Sequence, residues 1–144
     1  MNSEELPSCF RLALAASEHS DHRQHLIGAV ILIKNKPVGV GFNQMKTHPK
    51  AGIKRIHAEL AAIISIRNKN LLRGSSILIV RKSRSGKIGL ARPCANCQKI
   101  LAQYGIKRYV YSTSDGYRVE NAATYNKCQN ANSAALNRNS RQAT

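Results

Sequence analysis

His57-Ala58-Glu59 and, beyond the span Leu60 to Arg92, Pro93-Cys94-Ala95-Asn96-Cys97 are the two stretches around which the chain organises. Zinc takes imidazole nitrogen and thiolate sulfur as ligands, and a zinc site that acts on a substrate leaves one of its positions to water. His57, Cys94 and Cys97 supply three ligands. The remaining position then falls to water, whose pKa zinc lowers to about 7. Glu59 follows one of these ligands closely and is not itself needed as one, so it is placed to move a proton. His-x-Glu alone is a weak signal, and so is Cys-x-x-Cys. Together, in this order and with Pro93 before the first cysteine, they are specific.

Working outward, residues 3–19 predict a helix. Leu6, Phe10 and Leu14 with Cys9, Ala13 and Ala16 give an apolar face at helical spacing. Residues 26–33 are an apolar, β-branched run suited to a central strand. Lys34-Asn35-Lys36-Pro37 turns the chain, and 38–42 returns as a partner strand. Residues 43–56 read as a long lysine-rich loop. A helix is predicted over 56–68, carrying His57 and Glu59 at its start, then a strand over 76–81 and a basic loop over 81–92. Residues 94–104 predict a second helix, ended by Gly105. Cys94 and Cys97 are three apart in its first turn, so both thiols face one way. A helix N-terminus favours negative charge, which suits thiolate ligands there. Residues 107–112 form a fourth strand, Thr113-Ser114-Asp115-Gly116 a tight turn, and 117–120 a short fifth strand. Alternation puts Tyr109 and Tyr111 on one face of the fourth strand.

At 144 residues the chain fits one domain with a single core. Residues 1–128 are read as that domain and 129–144, rich in Asn, Ser, Ala and Gln, as a frayed tail. The apolar stretches are of strand length, so no membrane span is expected. Residues 1–10 lack the apolar core of a signal peptide, which leads to a cytoplasmic expectation. In that setting Cys9 and Cys128 are read as ordinary thiols. Lys plus Arg number 23 against 7 Asp plus Glu, a formal net charge of +16. From His22 to Ser114, Glu59 is the lone acidic residue. A surface of this kind attracts phosphate, on a nucleotide or on a polynucleotide.

The order H-x-E…P-C-x-x-C is the signature of zinc nucleobase deaminases. The chain resembles the cytidine/deoxycytidylate deaminase superfamily over residues 6–120, and within it the deoxycytidylate-deaminase-like branch. Gly28-Ala29-Val30 and Gly41-Phe42-Asn43 resemble the first hairpin of these enzymes. Lys99-Ile100-Leu101 and Gly105 to Tyr111 resemble the second zinc helix and its following strand. The resemblance implies a three-layer α/β/α fold with a mixed five-stranded sheet. One form of the superfamily ends in an antiparallel hairpin and the other in a parallel strand; the short turn at 113–116 selects the hairpin.

The resemblance also implies one zinc ion per chain, held by His57, Cys94 and Cys97, with Glu59 as the catalytic proton shuttle. The implied reaction converts a cytosine-type base to uracil and releases ammonia. Asn43 falls where the family contacts the sugar, His48 in the substrate-proximal loop, and Ala58 where the backbone lines the pocket. Tyr111 opens the segment Tyr111 to Asp115, where related polynucleotide deaminases read a neighbouring base and an aromatic group could stack on it; a core tyrosine is the competing reading. A homo-oligomer is expected by resemblance alone.

Three substrate readings stay open. A cytosine nucleotide such as dCMP, or a nucleoside, agrees with the branch. Cytosine in single-stranded DNA or RNA agrees with the charge. A non-catalytic, zinc-stabilised nucleic-acid-binding domain would need a fourth protein ligand, for which Cys128 or His48 is available. Gln98-Lys99 after the second cysteine speaks against an adenine substrate. A thioredoxin-like role for Cys94 and Cys97 would leave His57 and Glu59 as coincidence. His19, His22 and His25 mix helix and loop spacing and are read as polar groups near the mouth of the site.

Overall fold

The computed structural model describes residues 6–45 and 56–121. His48, Cys128 and the tail expected from Gln129 lie outside the described residues.

Strand β1 (His25–Ile33) is central because nearly every side chain on it is apolar. A strand buried on both faces reads as a continuous apolar run rather than an alternating one. Val30 and Leu32 face helix α1 (Leu6–Ser17) and pack with Cys9 and Ala13. Ala29 and Ile31 face the other way and pack with α2 (Ala58–Ile64) through Ala58, Ala62 and Ile63, in a cluster that also takes in Leu101 of α3 (Ala95–Gln103). The result is the expected three-layer arrangement, with α1 on one face of the sheet and α2 and α3 on the other.

The sheet order is β2-β1-β3-β5-β6. Strand β2 (Lys36–Phe42) and β3 (Ser76–Ser83) both run antiparallel to β1. Strand β5 (Arg108–Thr113) lies parallel to β3, after a crossover through α3. Strand β6 (Gly116–Asn121) returns antiparallel to β5, so the C-terminal hairpin read from the short turn is present. Tyr109 and Tyr111 do share one face, and both are buried in the α2/α3 layer.

Most boundaries shift by a residue or two, and the larger differences have physical reasons. The first turn is the tight pair Lys34 and Asn35, both at positive φ, so β2 begins at Lys36 rather than Val38. Pro37 is tolerated there because β2 is an edge strand. Helix α2 stops at Ile64 instead of Asn68. Ser65 Oγ donates to the Ala62 carbonyl and Asn68 Oδ1 accepts from Asn70 N, so short polar side chains compete for the backbone and start a 3-10 turn at Lys69. Helix α3 begins at Ala95, with Cys94 as its N-cap. The expected basic loop after Arg81 is instead a hairpin: β3 runs on to Ser83, and β4 (Ile88–Gly89) pairs Arg81 with Gly89 and Lys82 with Ile88. The sheet therefore has six strands rather than five.

Two glycines let the helices approach the hairpin. A Cβ on Gly28 would lie 2.0 Å from the Ala13 carbonyl oxygen in α1. A Cβ on Gly41 would lie 2.2 Å from Ala62 N and 2.7 Å from the Ala58 oxygen in α2. Neither contact can be relieved by a side-chain rotation, since both partners are backbone atoms. Gly41→Ala is therefore expected to cost at least about 2 kcal/mol by overpacking, read as a lowered urea midpoint. A midpoint equal to wild type would mean that α2 is free to move off the hairpin.

Candidate active site

Each half of the signature is delivered by a helix start. His57 has extended backbone and is the N-cap of α2; its carbonyl accepts from Ala61 N at 3.0 Å. Cys94 is likewise extended at the start of α3, and its carbonyl accepts from Gln98 N at 2.9 Å. Cys97 lies one turn further in and is buried. Gln98, also buried, donates from Nε2 to the Pro93 carbonyl at 2.8 Å and so braces the turn that leads into Cys94.

The three donor atoms converge. His57 Nδ1 lies 3.2 Å from Cys97 Sγ and 4.0 Å from Cys94 Sγ, and the donor atoms of all three residues fall within 4.8 Å of one another. Zinc bonds of ordinary length in a tetrahedron separate nitrogen and sulfur by about 3.6 Å, a value those two distances bracket. One imidazole and two thiols are the donor set zinc prefers, so the residues present fit the ion. Among the described residues this is the one cluster with three such donors. His19, His22 and His25 do not form another: His19 stacks against Phe42, and His22 against His25.

Burial sets the electrostatics. Glu59 is only 7% exposed, and burial pushes its carboxyl above the ordinary range against the opposing pull of its backbone hydrogen bond, His57 and Cys97. Burial likewise pushes the Cys97 thiol up, with Glu59 and Cys94 adding to the effect. The expectation that a helix N-terminus would lower the thiol is thus outweighed at Cys97 by desolvation. A cation is what makes the thiolate favourable there.

These groups open onto a cleft of about 260 Å³. His57, Glu59, Cys94, Asn43 and Gln44 line it, and Ile79 and Ala91 add apolar surface. Asn43 is fixed: its Oδ1 accepts from Ile27 N and its Nδ2 donates to the His25 carbonyl, both at 2.9 Å. That leaves one amide hydrogen and one lone pair for other partners. Ala58 is fully buried in the core behind the cleft. Tyr111 is also in the core, and its hydroxyl donates to Glu120 Oε2 at 2.6 Å. Glu120 in turn holds Arg92, at 2.7 Å to Nε and 3.0 Å to Nη2, and Arg92 does line the cleft. Arg81, Arg92 and Met45 are wall residues that motif reading missed. Arg81 is placed by the β3–β4 hairpin, a pairing that no local signal announces, and Arg92 by its ion pair with Glu120 of β6.

The description "cytidine and deoxycytidylate deaminase zinc-binding region" belongs to the family model that matches residues 3–113. The chain is a member of that deaminase family. One zinc ion is its cofactor, and the His57, Cys94 and Cys97 cluster is the donor set that fits it. No curated protein matches the sequence. Among solved structures, a cytidine deaminase from Burkholderia pseudomallei shares 20% identity, with 86% of this chain and 95% of that one covered, at a TM-score of 0.62. The dCMP deaminase of cyanophage S-TIM5 shares 20% identity over 78% of this chain and 86% of that one, at a TM-score of 0.58. RibD of Acinetobacter baumannii shares 22% over 76% of this chain but only 28% of that chain, at 0.54. At these identities the likeness establishes the deaminase fold. Among the described residues, no helix is long and apolar enough to cross a membrane.

Because the buried Cys97 thiol must lose its proton to bind metal, zinc uptake is expected to release protons and to weaken as pH falls. Calorimetry in buffers of different ionisation enthalpy reads this directly. Uptake without proton release would remove Cys97 as a thiolate ligand.

Proposed function

We propose that the protein is a zinc-dependent hydrolytic deaminase that converts a cytosine-type base, carried on a nucleotide unit, to the uracil form with release of ammonia. The observation that carries this reading is the pairing of a three-donor zinc cluster with a buried carboxyl, Glu59, at one cleft. Among the described residues three donors converge, a number that leaves a position for water, which a closed structural site would not. Bound by His57, Cys94 and Cys97, zinc acidifies water and makes a nucleophile available at neutral pH.

The remaining work falls to the chain. Glu59 takes one proton from the water and passes it to the ring nitrogen beside the reacting carbon; it then moves the water's second proton, from the hydroxyl now on that carbon, to the amino group as the carbon–nitrogen bond breaks and ammonia leaves. A carboxyl whose proton affinity is raised by burial suits both halves of that exchange. Ile79 and Ala91 give the base apolar contact, and the spare hydrogen-bonding capacity of Asn43 is directed to the sugar. Ala58 supports the site from behind through the start of α2. Tyr111 acts at one remove, holding Glu120 and through it Arg92. His48 lies outside the described residues. The smallest substrate of this description is dCMP. A homo-oligomer and a cytoplasmic location are part of the same reading, supported by family membership alone.

Glu59→Gln is expected to retain one zinc per chain and to lower turnover of the cytosine substrate by about 10²- to 10⁴-fold. Metal analysis and a mass-spectrometric deamination assay on dCMP and on cytosine-containing oligonucleotides decide it. Turnover within a few-fold of wild type would end the proton-shuttle assignment.

A further inference from the structure

The cleft does not stop at the reacting residues. His25, Arg81 and Leu90 line it and also line a second groove, of about 360 Å³, that runs onto the β3–β4 hairpin past Ser83, Lys87 and Ile88. The two spaces are therefore neighbours that share a wall.

The charge along that wall is not internally balanced. Two ion pairs occur among the described residues, Lys82 with Glu18 and Arg92 with Glu120. No carboxylate among the described residues pairs with Arg81, Arg84 or Lys87. Arg84 is occupied structurally, donating to the carbonyls of Ser20, His22 and Arg23 and so tying the hairpin tip to the loop before β1. Arg81 has neutral partners: its Nη1 donates to the Leu90 carbonyl at 3.4 Å, and its Nη2 lies 3.1 Å from His25 Nδ1. Lys87 is exposed, while its backbone is fixed by Ser83 N to its oxygen at 2.9 Å and by its own N–H to Ser83 Oγ at 3.1 Å. Two cations without carboxylate partners, Arg81 from β3 and Lys87 from the turn before β4, thus line one groove. Leu90, 56% exposed at the junction, offers an apolar contact beside them.

Building on the deaminase reading, we propose that this groove binds the phosphodiester backbone of a single-stranded polynucleotide whose target cytosine enters the cleft. A mononucleotide has one phosphate, next to the sugar of the base being processed. A cationic groove that continues beyond the cleft serves a chain with further phosphates. The strand is single because the amino group of a paired, stacked cytosine is out of reach of a cleft. The net charge of +16 has the sign this partner requires.

The test uses the full chain as wild type, Lys87→Gln, and Lys36→Gln, which makes the same charge change on the far edge strand. Fluorescence anisotropy reads binding of a labelled single-stranded DNA with one cytosine among thymines and of its RNA counterpart; turnover of dCMP is measured alongside. Lys87→Gln is expected to weaken both oligonucleotides roughly fivefold or more, and to lower the slope of log affinity on log salt by about 0.7. Lys36→Gln should do neither, and dCMP turnover should hold within twofold in both variants. Equal weakening by the two variants, an unchanged salt slope, or no binding by wild type overturns the proposal. So does a loss of dCMP turnover in Lys87→Gln matching the loss of oligonucleotide binding, since the groove would then hold the mononucleotide's phosphate. Lys87-dependent binding with no deamination of any substrate would leave the groove standing and bring down the deaminase reading instead.

Discussion

The contact between Gly41 and the first turn of α2 is the constraint on which the site depends. Only a hydrogen on that Cα allows Ala58 and Ala62 to come so close to β2. Ala58 sits between His57 and Glu59, so the same contact sets the depth of both. Two residues beyond Gly41, Asn43 uses its side-chain amide to extend the ladder to His25 and Ile27. The edge of the sheet and the start of the helix are thereby locked to each other, and the cleft lies between them. On its other side α3 is held by the parallel pairing of β3 with β5, which fixes the crossover that delivers Cys94 and Cys97. Close backbone packing, more than any ion pair, makes the donor cluster possible.

The cluster is costly without its metal. A buried thiol and a buried carboxyl lie side by side, each pushed toward its neutral form by desolvation and neither able to ionise cheaply in the other's presence. A divalent cation eases that conflict, because its charge offsets the thiolate. Folding supplies the geometry and zinc supplies the charge. Glu59 is not among the three donors of the cluster, and burial holds its carboxyl above the ordinary range.

Much of this was legible in the sequence, for reasons that differ from residue to residue. His57, Cys94 and Cys97 were readable because metal chemistry restricts residue type and spacing together. The central strand was readable because Leu26 to Ile33 has no polar side chain to place in water. The β4 hairpin was not, because Ile88 and Gly89 are too few to show a period and are set among lysines and arginines. Arg81 and Arg92 were hidden for a related reason: a wall residue brought in by strand pairing or by a distant ion pair leaves no local mark. Tyr111 carried two readings, a base contact from the resemblance and a core position on the strand, and its burial with a hydroxyl bond to Glu120 places it in the core layer. The end of α2 was misjudged because Ser65 and Asn68 bond to nearby backbone, a competition that apolar periodicity ignores.

The distribution of charge follows from the same division between wall and core. Glu59 is the one carboxylate between His22 and Ser114, and it is buried. Among the described residues, three acids outside that interval are engaged: Glu18 on Lys82, Glu120 on Arg92 and Tyr111, and Asp21 accepting from Met45 N at 2.7 Å. Each of these pairings ties down a loop or strand that borders the cleft. These carboxylates serve as fasteners, and on the β3–β4 hairpin they reach Lys82 but not Arg81, Arg84 or Lys87. Like charges on one short hairpin repel, and the hydrogen bonds of Arg81 to Leu90 and His25 bring no opposing charge to offset that repulsion. An anion arriving in the groove would offset it most directly.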